Sequence, residues 1–183
     1  MENINALLVA FMFITILSIG VAGVLTELAD VVRNAEGKHR DRLLVGWAAL
    51  LLFANFILFW HTADIALRDK WGFALFLFAE TGPVLLLFST QIMLSALRAE
   101  QQAQAIASVS QGRFFVMFGL LQLWSIAADF VLGIGFTSGS ALNVLVVLTC
   151  VLLAWSTNRR LHASGLALVW SAYIASAFLQ SYA

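Results

Sequence analysis

The amino-acid sequence predicts an all-α, polytopic membrane protein: a bundle of six transmembrane helices arranged as antiparallel hairpins. Of the 183 residues, 62% are hydrophobic and 11% are charged, whereas about a quarter of the residues are charged in a typical soluble domain. Apolar runs of about 18 residues or more recur along the chain, and each can cross a hydrocarbon core of about 30 Å. A water-soluble globular fold is therefore excluded.

The apolar runs define six spans in chain order. They cover residues 6–28, 43–67, 71–97, 114–136, 141–156 and 161–179. The connections that follow the second, fourth and fifth spans are only a few residues long, so these neighbours are expected to pack as antiparallel hairpins. Since no stretch remains for a soluble unit, we expect a single integral-membrane domain over residues 1–183.

The first span begins without a basic segment, because no Lys or Arg precedes Arg33. A cleaved secretory signal would start with such a segment. We therefore expect residues 6–28 to be a retained transmembrane helix.

The basic residues predict the orientation. Eight of the ten Lys and Arg flank or occupy the odd-numbered loops: Arg33, Lys38, Arg40, Arg42, Arg98, Arg113, Arg159 and Arg160. Only Arg68 and Lys70 lie on the opposite side. By the positive-inside rule the odd loops are cytoplasmic and both termini lie outside, in a cytoplasmic or inner membrane.

The third and sixth spans carry further signals. Residues 98–111 are rich in strong helix formers, which predicts a cytoplasmic helical extension of the third span that ends near Gly112. The sixth span has small residues at every fourth position. They are Ala163, Ala167, Ser171 and Ala175. Small side chains let membrane helices approach closely, so this stripe predicts packing against this chain or a second copy.

Acidic residues lie at similar depths in the second, third and fourth spans. Glu80 is about 13 Å and Asp129 about 10 Å from the same predicted membrane face, at about 1.5 Å per residue. His61 and Asp64 lie about 9 and 5 Å from that face by the same rise. Three carboxyl groups and an imidazole are therefore predicted to share one layer near the outer face.

The helical phase brings more polar residues to this layer. Gln122, Ser125 and Asp129 share one stripe of the fourth span, and Glu80 lies on a stripe of the third span that also holds Gln91 and Arg98. We expect both stripes to face inward, together with Asn55 of the second span.

The acidic layer predicts a binding site for a proton or a cation. Two ionised carboxylates without a basic partner in the membrane would each cost at least a few kcal/mol. They can bind a proton, share one, pair with protonated His61 or bind a cation. Pro83 adds a candidate oxygen ligand, since it removes the donor for the carbonyl of Ala79.

Other site classes find less support. The equal numbers of acidic and basic residues argue against nucleic-acid binding. Cys150, the single cysteine, has no intrachain partner for a disulfide, and neither a metal site nor a catalytic set is recognisable. Ser138 and His162 stand in fragments similar to the motifs of rhomboid proteases, but a span separates them. No cofactor is evident, although the layer allows a bound cation.

The leading interpretation is a small transporter or channel subunit whose carboxyl pair, Glu80 and Asp129, binds a proton or cation near the outer face. The alternative is a non-catalytic accessory or assembly subunit of a larger membrane complex. A third is an intramembrane enzyme acting on a lipid or quinone, which would need a nucleophile or metal that the sequence does not offer. The expected partners are the lipid bilayer and either a second copy of the chain or another membrane protein.

Overall fold

The computed structural model describes residues 2–33, 42–61, 71–101 and 107–181. These residues form six α-helices and no β-strand, which confirms the all-helical prediction for this part of the chain. The helices are α1 (Glu2–Arg33), α2 (Arg42–Trp60), α3 (Phe73–Gln101), α4 (Ala107–Val131), α5 (Ser138–Ala154) and α6 (Arg159–Ser181).

The helices have the length and surface of membrane spans. Five of those described are long and apolar enough to cross a membrane. The other, α5, is apolar and has 17 residues, the lower limit of about 17 for a spanning helix. Large apolar side chains such as Phe11, Phe88 and Leu152 are exposed on the bundle. Contact with lipid removes the cost of exposing them to water, so the chain is an integral membrane protein.

Five helices close a ring in sequence order. Each of α2 to α6 packs against the next, and α6 packs against α2. The first helix contacts both α2 and α3. The hairpin contacts expected from the short connections, α2 with α3, α4 with α5 and α5 with α6, are confirmed.

Glycine and capping residues set the boundary between α4 and α5. The predicted fourth span ran to residue 136, but α4 ends at Val131. Gly133 and Gly135 have φ angles of +78° and +80°, a left-handed conformation that suits glycine and ends a helix. The predicted fifth span began at residue 141, but α5 starts at Ser138 because Thr137 caps its first turn.

Two further predicted boundaries change at the other loops. The second span was predicted to reach residue 67, whereas α2 ends at Trp60 and residues 62–70 lie outside the described part. The predicted extension of the third span is helical as far as Gln101. Gly112 does not end it, because residues 107–131 already form α4.

An aromatic cluster fills the ring at the end where α2 and α4 begin. The indole of Trp47 makes edge contacts with Phe114, Phe115 and Phe118, with ring centroids 5.6, 5.1 and 6.5 Å away. None of these four side chains is more than 2% exposed. Offset and edge-to-face aromatic packing adds stability beyond the burial of area, so this end of the bundle is tightly closed.

The small-residue stripe of α6 points away from the ring. Ala163, Ala167 and Ser171 are exposed. The opposite side of the helix, with Gly165 and Val169, is buried. Ala175, the last residue of the stripe, is half-buried, and packing of the stripe against a second copy stays a prediction.

Candidate functional site

A cavity of about 430 Å³ lies inside the helical ring, at the end where α2 ends and α3 begins. All six helices contribute to its wall. Most of the lining residues are apolar or aromatic, and the polar ones cluster on α4, α5 and α6. The polar lining residues are His61, Gln122, Ser125, Asp129, Thr137, Asn143, Tyr173 and Ser176.

The half-buried carboxylate of Asp129 is held from both sides of the connection between α4 and α5. The backbone carbonyl of Asp129 accepts hydrogen bonds from the amides of Ile134 and Gly135, at 2.9 and 3.2 Å. Its side-chain Oδ2 accepts a hydrogen bond from the hydroxyl of Ser140 at 2.5 Å. The position of this acid therefore depends on how α4 ends and how α5 begins.

Ser140 also belongs to the capping box of α5. The hydroxyl of Thr137 accepts a hydrogen bond from the amide of Ser140 at 3.1 Å. The amide of Thr137 donates in return to the hydroxyl of Ser140 at 3.0 Å. This reciprocal pair satisfies two backbone donors at the helix start, and it fixes the hydroxyl that contacts Asp129.

Two side-chain hydrogen bonds tie α4 to its neighbours inside the cavity wall. The amide of Gln122 donates to the hydroxyl of Tyr173 on α6 at 2.8 Å. The amide of Asn143 on α5 donates to the hydroxyl of Ser125 at 3.1 Å. These bonds leave Gln122 Oε1 and Asn143 Oδ1 as oxygen acceptors in the wall.

Trp124 joins the cavity wall to α3. Its indole N–H donates to the backbone carbonyl of Phe78 at 2.7 Å. A Cβ atom at Gly82 would lie 2.3 Å from the indole ring, so only glycine allows the two helices to approach this closely. Because the N–H is already bonded, Trp124 offers the cavity its ring and no donor.

Glu80 is buried on α3 and is not among the residues that line the cavity. Neither of its carboxyl oxygens has a hydrogen-bond partner within the described residues. Pro83 lies inside the same helix, three residues later. The structure thus separates the predicted pair into a carboxyl that lines the cavity, Asp129, and one that is enclosed by protein.

The remaining predicted residues have different positions. His61 lines the cavity. Asn55 is buried outside the lining: its amide donates to the carbonyl of Leu51 at 2.7 Å, and its Oδ1 lies 2.9 Å from where a Cβ at Gly20 would be. It therefore belongs to the contact between α1 and α2. Asp64 lies outside the described residues.

The expectation that the whole polar stripe of α3 faces inward was wrong. Glu80 is buried, but Gln91 and Arg98 on the same stripe are exposed. The inward face of this half of α3 carries Met93 and Leu97. Helices in a bundle cross at an angle. A neighbouring helix can therefore bury one part of a stripe and leave a part of the same stripe, at another depth, exposed.

Sequence reasoning missed several partners of the site. Ser140 and Asn143 are three residues apart, a spacing that predicts one helical face, and this pattern was available in the sequence. The ion pair between Glu27 on α1 and Arg98 on α3 was also missed. Both residues lie near the same predicted membrane face, which a comparison of depths along the two spans would have shown.

No three His, Cys, Asp or Glu side chains within the described ranges come together in a way that could hold a metal ion. Comparison of the chain with protein-family models, curated proteins and solved structures gives no match.

Proposed function

We propose that this chain is a small transporter or channel subunit that binds a proton or a cation at Asp129 and Glu80, near the outer face of the membrane. The assignment of that face rests on the basic residues, eight of which flank or occupy the loops at the other end. We expect these carboxyl groups to bind a proton or a cation.

The observation that carries the proposal is a cavity inside the ring that is closed at one end. Asp129 and Tyr173 both line the cavity, and the ring of Tyr173 stacks on Phe118 of the buried cluster around Trp47, with ring centroids 6.1 Å apart. A solute that enters beside Asp129 meets tightly packed aromatic side chains before it can cross the bundle. This arrangement fits a transporter in one state of alternating access, or a channel with its gate closed.

The two carboxyl groups fit different roles. Asp129 lines the cavity and can contact a solute. Glu80 is 7% exposed, and its oxygens have no hydrogen-bond partner among the described side chains. An ionised carboxylate in this position would be unfavourable, so we assign a bound proton to Glu80 and solute contact to Asp129.

Flux in proteoliposomes tests the proposal. Vesicles that hold purified protein and a pH-sensitive dye are subjected to proton, sodium or potassium gradients. The compared variants are Glu80→Gln, Asp129→Asn and, as a matched control, Asp30→Asn, whose carboxylate pairs with Arg33 at the other end of the bundle. We expect flux in wild type and the control, and its loss in the two site variants. The absence of flux through the wild-type protein under every gradient would contradict ion transport.

The exposed stripe of α6 favours a second candidate, an accessory subunit of a larger complex. Ala163, Ala167 and Ser171 offer a surface on which another membrane helix can pack closely. Purification in mild detergent separates the two proposals. Co-purification of other membrane proteins in stoichiometric amounts, together with the absence of ion flux in proteoliposomes, would support the accessory role.

A further inference from the structure

We propose that the cavity binds a small organic cation, an ammonium group with an attached apolar or aromatic part. This inference rests on the proposed function and specifies the class of solute.

The size of the cavity is the first argument. Its volume of about 430 Å³ falls within the range of about 300–1,000 Å³ typical of pockets for small organic molecules. A bare metal ion fills a small fraction of this space and needs oxygen ligands on several sides. Here much of the wall is formed by aliphatic side chains, such as Ile57, Leu86 and Val146, which suit the apolar part of an organic molecule.

The charge of the wall is the second argument. Among the described lining residues, Asp129 is the one acidic group, and none is Lys or Arg. The imidazole of His61 and the phenol of Tyr173 also line this wall. One carboxylate oxygen of Asp129 accepts the hydrogen bond from Ser140, which leaves the second oxygen for a ligand. A single positive charge complements this wall, whereas an anion would be repelled.

The aromatic residues are the third argument. The rings of Trp71, Trp124 and Tyr173 line the same cavity as Asp129. Aromatic faces attract ammonium groups, and Trp does so most strongly. Because the indole N–H of Trp124 is already bonded to Phe78, its contribution to a ligand is the ring. A carboxylate and several rings around one cavity are the elements that recognise an alkylammonium group.

Binding of benzyltrimethylammonium to the purified protein tests the inference. Its uncharged isostere, 2,2-dimethylpropylbenzene, has the same shape without the charge, and phenylacetate serves as the anionic probe. Tryptophan fluorescence reports occupancy, since Trp71 and Trp124 line the cavity. We expect the cation to bind at least about tenfold more tightly than either other probe, because a partly desolvated charge pair adds affinity.

Two variants show whether the cavity is responsible. Asp129→Asn keeps the shape and an acceptor for Ser140, and we expect it to abolish the preference for the cation over its isostere. Ala172→Leu adds volume to a wall residue and leaves the charge unchanged. We expect this variant to weaken benzyltrimethylammonium binding while tetramethylammonium, which is smaller, still binds. Asp30→Asn is the control for loss of a carboxylate elsewhere.

The outcomes separate this inference from the proposed function. Equal binding of the cation and its isostere by the wild type would overturn the inference, as would a cation preference that persists in Asp129→Asn. Inorganic ion flux that depends on Asp129, without binding of any ammonium probe, would overturn it and leave transport intact. Selective ammonium binding without any flux would support it and contradict the transport role.

Discussion

At the scale of single residues, buried polar side chains stabilise the cavity wall by bonding to one another across helices. The hydrogen bond from Gln122 to Tyr173 joins α4 to α6, and Gln122 is only 2% exposed. Tyr173→Phe removes the acceptor and leaves this amide without its partner. We expect a loss of about 1 kcal/mol in the free energy of unfolding, because hydrogen bonds between membrane helices average about 0.6 kcal/mol and reach about 1.7.

Unfolding in mixed detergent measures this loss. Ser171→Ala is the matched control, since the exposed Ser171 hydroxyl donates to the carbonyl of Ala167 on its own helix. If the two substitutions lower the free energy of unfolding equally, the hydrogen bond between α4 and α6 does not contribute to stability.

The ion pair of Glu27 and Arg98 supports a second prediction at this scale. The side chain of Glu27 is 7% exposed and that of Arg98 57%. Breaking a fully buried pair by removing one partner costs about 3–5 kcal/mol, and the exposure of Arg98 reduces this, so we expect Arg98→Gln to cost about 2 kcal/mol.

The double variant Glu27→Gln/Arg98→Gln should recover part of that stability, because no charge is then left buried alone. Arg33→Gln, which removes an exposed pair with Asp30, should change stability by less than about 1 kcal/mol. A double variant less stable than Arg98→Gln would contradict this interpretation.

The candidate site was partly predictable from the sequence. The spacing of Gln122, Ser125 and Asp129 predicts one helical face, and all three line the cavity. The separation of Glu80 from that cavity was not predictable, because a residue's depth in the membrane does not show which neighbouring helix covers it. The pairing of Asp129 with Ser140 and of Gln122 with Tyr173 depends on tertiary contacts of α4 with α5 and α6, and a pairing between helices has no signature within one span.

At the scale of helices, the close approach of α3 and α4 depends on one glycine. In a solvent-exposed helix, Gly→Ala stabilises by about 1 kcal/mol. At Gly82 the added Cβ would meet the ring of Trp124 at 2.3 Å. We therefore expect Gly82→Ala to destabilise the protein by about 1–3 kcal/mol and to alter the fluorescence of Trp124.

Thermal unfolding in detergent checks this prediction, with Gly72→Ala as the control because a Cβ there meets nothing within 4 Å. The combination of Gly82→Ala with Trp124→Leu should lose less stability than the two single changes together, since the smaller side chain relieves the clash. Additive losses of stability would mean that there is no steric clash between positions 82 and 124.

The positions of the helices could be predicted, and their ends less so. The apolar runs identify all six helices because a membrane span needs a length that few other elements require. The ends depend on local chemistry. Gly133 follows the end of α4, and Thr137 caps the first turn of α5, although the apolar run in the sequence continues through Phe136. The ring order could not be read from the sequence, because alternative arrangements of the same hairpins expose similar apolar surfaces to lipid.

At the scale of the whole molecule, the orientation decides which compartment the cavity faces. The prediction that both termini and the cavity lie outside depends on the basic residues of the odd loops. Cysteine labelling tests this orientation. The chain has a single cysteine, Cys150, which is buried and can be replaced by alanine to give a cysteine-free chain. Single cysteines are then introduced by Phe136→Cys, between α4 and α5, and by Thr157→Cys, between α5 and α6.

Both positions are exposed and lie at opposite ends of α5. We expect a membrane-impermeant maleimide applied to intact cells to label Phe136→Cys and to leave Thr157→Cys unmodified until the membrane is permeabilised. The reverse pattern would place the cavity at the cytoplasmic end. Labelling of both from one side would mean that α5, with its 17 residues, does not cross the membrane, and a cavity with one wall formed by such a helix would then open toward lipid.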